Sequence, residues 1–156
     1  MIVPFAVQAD DTPSLPTPTG DDARVLANGA RTGGSMAITD IAVAAGSGPA
    51  LHTHVRDDEL WYVLAGEFRF LAGGRMLHAS TGGMAFGPHG TPHAFQNVGD
   101  GPGRLLIVTT PAGLDRFFEE YAARLPLGVE AEELAALAHE CGIDFVGPPL
   151  SVSDPL

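Results

Sequence analysis

From residue 35 to residue 110, apolar residues come only in short runs, each broken by glycine or by a turn-forming cluster. This pattern leaves no room for the long 3.6-residue periodicity of a helical bundle and predicts a succession of β-strands. SMAITDIAVA (35–44) and ELWYVLA (59–65) are the first two, the latter rich in aromatic and β-branched residues. GEFRFLAGGRMLHA holds two more around Gly73-Gly74, a two-residue hairpin turn. MAFG (84–87), HAFQNV (93–98) and RLLIVTT (104–110) follow, with no helical segment between them. Many short strands at even spacing predict a sandwich or barrel over about residues 23–110.

Pro111 marks a change of period. In AGLDRFFEEYAARL (112–125), Leu114, Phe117, Phe118, Tyr121 and Leu125 recur at helical spacing. EAEELAALAHECG (130–142) repeats the pattern with Leu134, Leu137, Ala138 and Cys141, and Gly142 supplies a stop. Neither helix is long enough to enclose a core, so a helical tail over about 111–147 is expected to pack on the outside of the barrel. The Pro- and Thr-rich TPSLPTPTGDD (12–22) predicts an extended, loosely structured lead-in. The expectation is one domain, residues 1–156.

Charge narrows the partners. The net charge is −11, there is no lysine, and the eight arginines are scattered. Nucleic acid and anionic membrane surfaces both require a basic face that this chain lacks. No apolar run approaches a membrane span, and MIVPFAVQADD does not read as a signal peptide. The single cysteine forbids an intrachain disulfide, which fits a cytoplasmic protein.

Chemistry concentrates in HTHVRDDE (52–59). Residues two apart on a strand share a face, so His52 and His54 project together and can meet one metal ion. Glu59, opening the next strand, brings a carboxylate to the same side. His93, after the tight approach made by Gly90 and Pro92, is the candidate fourth ligand.

GSGPALHTHVRDDELWYVLAG (46–66) resembles the first motif of the cupin superfamily, G-x5-H-x-H-x4-E-x6-G, with Gly46, His52, His54, Glu59 and Gly66 at every specified position. GGMAFGPHGTPHAFQN (82–97) resembles the second, G-x5-P-x-G-x2-H-x3-N, through Gly82, Pro88, Gly90, His93 and Asn97. The C-terminal pattern is similar to a branch of small single-domain cupins labelled quercetin-dioxygenase-like. The resemblance implies an all-β fold, a jelly-roll barrel with two short C-terminal helices outside it. It implies one divalent metal ion, iron, manganese, nickel, zinc or copper, held by His52, His54, Glu59 and His93. It also implies a structural role for Asn97.

The expected function is a metal-dependent oxygenase acting on a small aromatic or enolisable molecule, with Glu59 either staying a ligand or detaching to serve as general base. An isomerase or polyketide-cyclase-like enzyme needs the same metal without dioxygen, and a non-catalytic ligand-binding cupin needs no chemistry. Trp61, Phe86, Phe95, Met36 and Phe70 are the candidate pocket walls. His78, His89 and His139 are expected at the rim or surface, Cys141 as a small apolar side chain, and Arg56, Asp57 and Asp58 in a solvated loop. Leu60, Tyr62 and Leu64 alternate with the inward residues of their strand, so both its faces are apolar and both need cover, from the opposite sheet, the C-terminal helices or a second subunit. The resemblance to small cupins implies that the cover is a second subunit, in a homodimer.

Overall fold

The computed structural model describes residues 2–156. Among the described residues, eleven strands form two antiparallel sheets. The first sheet contains β1 (Leu15–Pro16), β2 (Asp22–Ala27), β3 (Ala37–Val43), β5 (Asp58–Ala65), β8 (Met84–Gly87) and β10 (Gly103–Thr110), in the order β1-β2-β3-β10-β5-β8. The second contains β4 (Ala50–His54), β6 (Glu67–Ala72), β7 (Arg75–Ser80), β9 (His93–Asn97) and β11 (Ile143–Pro149), in the order β11-β4-β9-β6-β7. This is the jelly-roll arrangement. Gly73 and Gly74 make the β6–β7 turn with φ of 57° and 76°. Positive φ at both central positions matches the right-handed strand twist, and glycine adopts it without a Cβ clash.

Strand alternation builds the core. Ile41, Val43, Trp61, Val63, Leu105 and Ile107 from the first sheet meet Phe68, Phe70 and Phe95 from the second. Burying each such side chain stabilises the fold by about 1.5–3 kcal/mol. The tail adds α2 (Leu114–Arg124) and α3 (Ala131–Glu140), the latter opened by a capping box between Glu130 and Glu133. Leu114, Phe117, Phe118 and Tyr121 of α2 and Leu137 and Ala138 of α3 belong to the same apolar cluster as the sheets, and α2 contacts β1, β2 and β3.

Three segments differ from the sequence-based expectations. The lead-in is partly ordered: Leu15 pairs with Ala23 and Pro16 with Asp22, because Ala23, Val25 and Ala27 alternate as a strand that offers β1 an edge. One helical turn, α1 (Gly29–Thr32), interrupts the strands, capped by Asn28 accepting from the Arg31 N–H. The tail is not helical throughout. Residues 143–149 form β11 on β4 despite Pro148 and Pro149, which an edge strand tolerates because one side of it needs no donors. A last turn, α4 (Leu150–Ser153), follows.

Candidate metal centre

The two sheets bring four side chains to one point. His52 and His54 share a face of β4, and His93 opens β9 opposite His52. Glu59 reaches them from β5 in the facing sheet. The turn before β9 is tied to β4 by the Gly90 N–H donating to the His54 carbonyl at 2.7 Å. One potential ligand atom from each of the four lies within 4.8 Å of the others, and all four residues are buried.

Local bonds aim the imidazoles. Nδ1 of His52 lies 2.8 Å from the Ala50 carbonyl, and Nδ1 of His93 lies 2.8 Å from that of Thr91. A carbonyl can only accept, so each Nδ1 carries the proton and each Nε2 keeps its lone pair for a metal. Nε2 of His54 and of His93 stand 3.1 and 3.0 Å from Glu59 Oε2. That matches the separation of about 3 Å between ligands set at right angles about 2.1 Å from one ion. Yet these three atoms are buried with no hydrogen-bond partner. A cation between them would engage all three at once. The donor set of three nitrogens and one oxygen suits a divalent transition metal.

The electrostatics agree. Burial, with His93 close by, pushes His52 down to about 3, so it is neutral. Burial also opposes charge on His54, but Glu59 and Asp57 outweigh it and raise His54 to about 9. Burial alone would raise Glu59; His54 and His93 overcome it and hold the carboxyl well below its usual range. Without metal, the proton of the cluster therefore rests on His54.

Asp57 is not in a solvated loop. It is 3% exposed, with Oδ2 3.8 Å from His54 Nδ1. The carboxylate fits against the start of α2 only because residue 113 is glycine: a Cβ there would stand 2.0 Å from Asp57 Oδ2. Asp58 does face solvent, and its Oδ1 accepts from the His89 N–H at 2.9 Å. His78 and His139 are exposed, the latter 2.7 Å from Asp144, and burial pushes the Cys141 thiol up. Asn97 is fully buried and donates to the carbonyls of Val43 and Gly101, which pins the β9 end.

A cavity of about 700 Å³ opens onto His52 and Glu59. Of the five aromatic or large side chains expected to wall it, Phe95 does. Trp61 and Phe70 are buried in the core, rings 5.4 Å apart, with Trp61 also edge-on to His93. Phe86 pairs with Leu60 on the outer face and is 48% exposed, since alternation turns Ala85 inward instead. Met36 precedes β3 and is exposed. The wall is completed by Leu114, Phe117 and Phe118 of α2, by Leu134 of α3, and by Ile143 and Phe145 of β11. The apolar stripes of both helices were legible in the sequence; the surface they face was not.

Residues 39–109 match the Cupin domain family. An uncharacterized protein of Methanocaldococcus jannaschii is 27% identical over 79 residues, which is 51% of this chain and 63% of that protein's length. Among solved structures, KdgF from Halomonas sp. superposes with a TM-score of 0.65 at 18% identity, covering 72% of this chain and 98% of KdgF. A predicted oxalate decarboxylase from Thermotoga maritima gives 0.61 at 21%, covering 69% and 99%. The polyketide cyclase RemF from Streptomyces resistomycificus gives 0.58 at 22%, covering 69% and 80%. The domain match covers residues 39–109, less than half of the chain. At such identities the neighbours' likeness is one of fold, and their activities differ from one another. No helix among the described residues is long and apolar enough to cross a membrane.

Proposed function

We propose that the protein is a metal-dependent cupin enzyme acting on a neutral, flat, enolisable molecule, and that its reaction is an oxygenation. One observation carries the substrate class: the cavity is apolar except at the metal-binding cluster and a few hydroxyls, and among the described residues lining it none is an arginine. The chain has no lysine either. A sugar phosphate or a dicarboxylate would find no positive side chain beyond the metal itself, so any charge away from the metal would be buried at a cost of several kcal/mol. An aromatic enol would bury its rings against Phe95, Phe117 and Phe118.

His52, His54, Glu59 and His93 would hold the metal, which when bound supplies a Lewis acid that acidifies a chelating hydroxyl. His52 and Glu59 face the cavity, while His54 and His93 are fully buried behind them. With metal bound and His54 neutral, Glu59 would be the carboxylate that takes the enolic proton, at Oε1, because Oε2 is the oxygen that faces His54 and His93. The apolar wall excludes water from the resulting anion. The quercetin-dioxygenase-like assignment belongs to this proposal, as does a cytoplasmic location.

The test is oxygen uptake by protein loaded in turn with iron, manganese, nickel or copper and given quercetin. Uptake equal to substrate consumed, with both oxygen atoms in the product, is expected. A product of unchanged mass formed without oxygen would replace oxygenation with isomerisation or cyclisation. Binding without turnover under every metal would make the protein a ligand-binding cupin.

The outer face of the first sheet supports a homodimer. The register sets Leu60 beside Phe86 and Val108, and Tyr62 beside Met84 and Leu106. Tyr62, Met84 and Phe86 are 40–50% exposed in the single chain, a contiguous apolar patch of the kind that marks an interface.

A further inference from the structure

A second polar feature of the cavity wall is formed by Thr17, Thr19 and Ser47. Two of these hydroxyls, those of Thr19 and Ser47, are organised by one buried carboxylate. Asp21 is 7% exposed, and its Oδ1 accepts the Ala44 N–H at 2.9 Å. Its Oδ2 takes the Thr19 hydroxyl at 2.6 Å and the Ser47 hydroxyl at 2.7 Å. Thr17 Oγ1 lies 3.0 Å from the Asp21 carbonyl and 2.9 Å from Thr19 Oγ1, so its proton is also taken within the cluster. A hydroxyl has one proton and two lone pairs. With every proton turned to Asp21 or its neighbour, the oxygens can offer the cavity only lone pairs.

We infer that Thr19 and Ser47 form a hydrogen-bond acceptor pole that selects ligands bearing a peripheral hydroxyl donor, such as a phenol, with Asp21 the residue that positions it. Thr17 is nearly inaccessible, whereas Thr19 is exposed and Ser47 half-buried, so a ligand reaches the latter two. The Asp21 charge behind them repels carboxylates and phosphates and strengthens acceptance from an O–H. The inference rests on the proposed substrate class and sharpens it: the ligand is neutral and flat, chelates at one place, and donates a hydroxyl at another.

The probes are 3-hydroxyflavone, which carries the chelating pair alone, and quercetin, which adds peripheral phenols. Titration calorimetry on metal-free and zinc-loaded protein measures binding without turnover. The parent is expected to bind quercetin about five- to tenfold more tightly than 3-hydroxyflavone, the worth of one or two hydrogen bonds. Thr19→Val and Ser47→Ala each move that ratio towards one while leaving 3-hydroxyflavone unchanged, and Thr19→Ser restores it. Melting curves confirm that each variant is folded. A parent ratio of one, or a ratio that survives both variants, overturns the acceptor pole. Should the ratio hold while quercetin consumes no oxygen, the oxygenase reading fails and the pole stands. If neither flavone binds the parent, both fall.

Discussion

Loading the site with metal must expel a proton, and the amount follows from His54. In the metal-free protein Glu59 and Asp57 raise His54 to about 9, whereas a metal ligand must be unprotonated. At pH 7 the proton outcompetes the vacant form by about two orders of magnitude, since each unit of pKa above the pH is a factor of ten. His52, held down to about 3, contributes nothing there. The apparent affinity for zinc should therefore rise about tenfold per pH unit towards pH 9 and then level off. Calorimetry in buffers of different ionisation heat should count about one proton released per zinc at pH 7. The metal-free protein carries the converse dependence. Its folded-state His54 pKa lies above the unfolded value, so the stability from this group is complete below about pH 6.5 and is lost as pH rises through about 9. Zinc-loaded protein should not show that alkaline loss. A flat affinity between about pH 6.5 and 8.5, with no proton released, would refute the placement of the proton on His54.

Three further outcomes are expected. Asp57→Asn should weaken zinc binding about tenfold, as loss of a partner behind a ligating histidine does, and Gly113→Ala should do the same by displacing that carboxylate; chelator competition measures both. Phe117→Ala should lower stability by about 3 kcal/mol, the low end for a phenylalanine that already borders a cavity, with metal content unchanged by elemental analysis. The parent is expected to be a dimer by light scattering and Tyr62→Asp with Phe86→Asp a monomer, because each charge is set into an apolar patch.

The convergence of the four candidate ligands was legible because its logic is local. Two-residue spacing on one strand aligns His52 with His54 whatever surrounds them, and the turn ahead of His93 sets where β9 begins. The cavity was not legible, because helical period identifies the stripe of Leu114, Phe117 and Phe118 but not the surface it covers. Phe86 misled for a related reason: alternation fixes that neighbours point apart, and only the pairing with Leu60 decides which one points out. Asp57 sits among charged loop residues, and its burial depends on Gly113, more than fifty positions away. β11 was hidden by prolines that disqualify a central strand but not an edge one.

The family match ends at residue 109, while α2, α3 and β11, which wall much of the cavity, all lie beyond it. The candidate metal ligands thus lie inside the matched segment, while a large share of the cavity wall comes from outside it. Substitutions after residue 110 can retune what the protein accepts while His52, His54, Glu59 and His93 stay as they are. On the proposed function, a lineage with this layout would change substrates without reinventing its chemistry, and an engineer could randomise the tail with the four-residue cluster left intact.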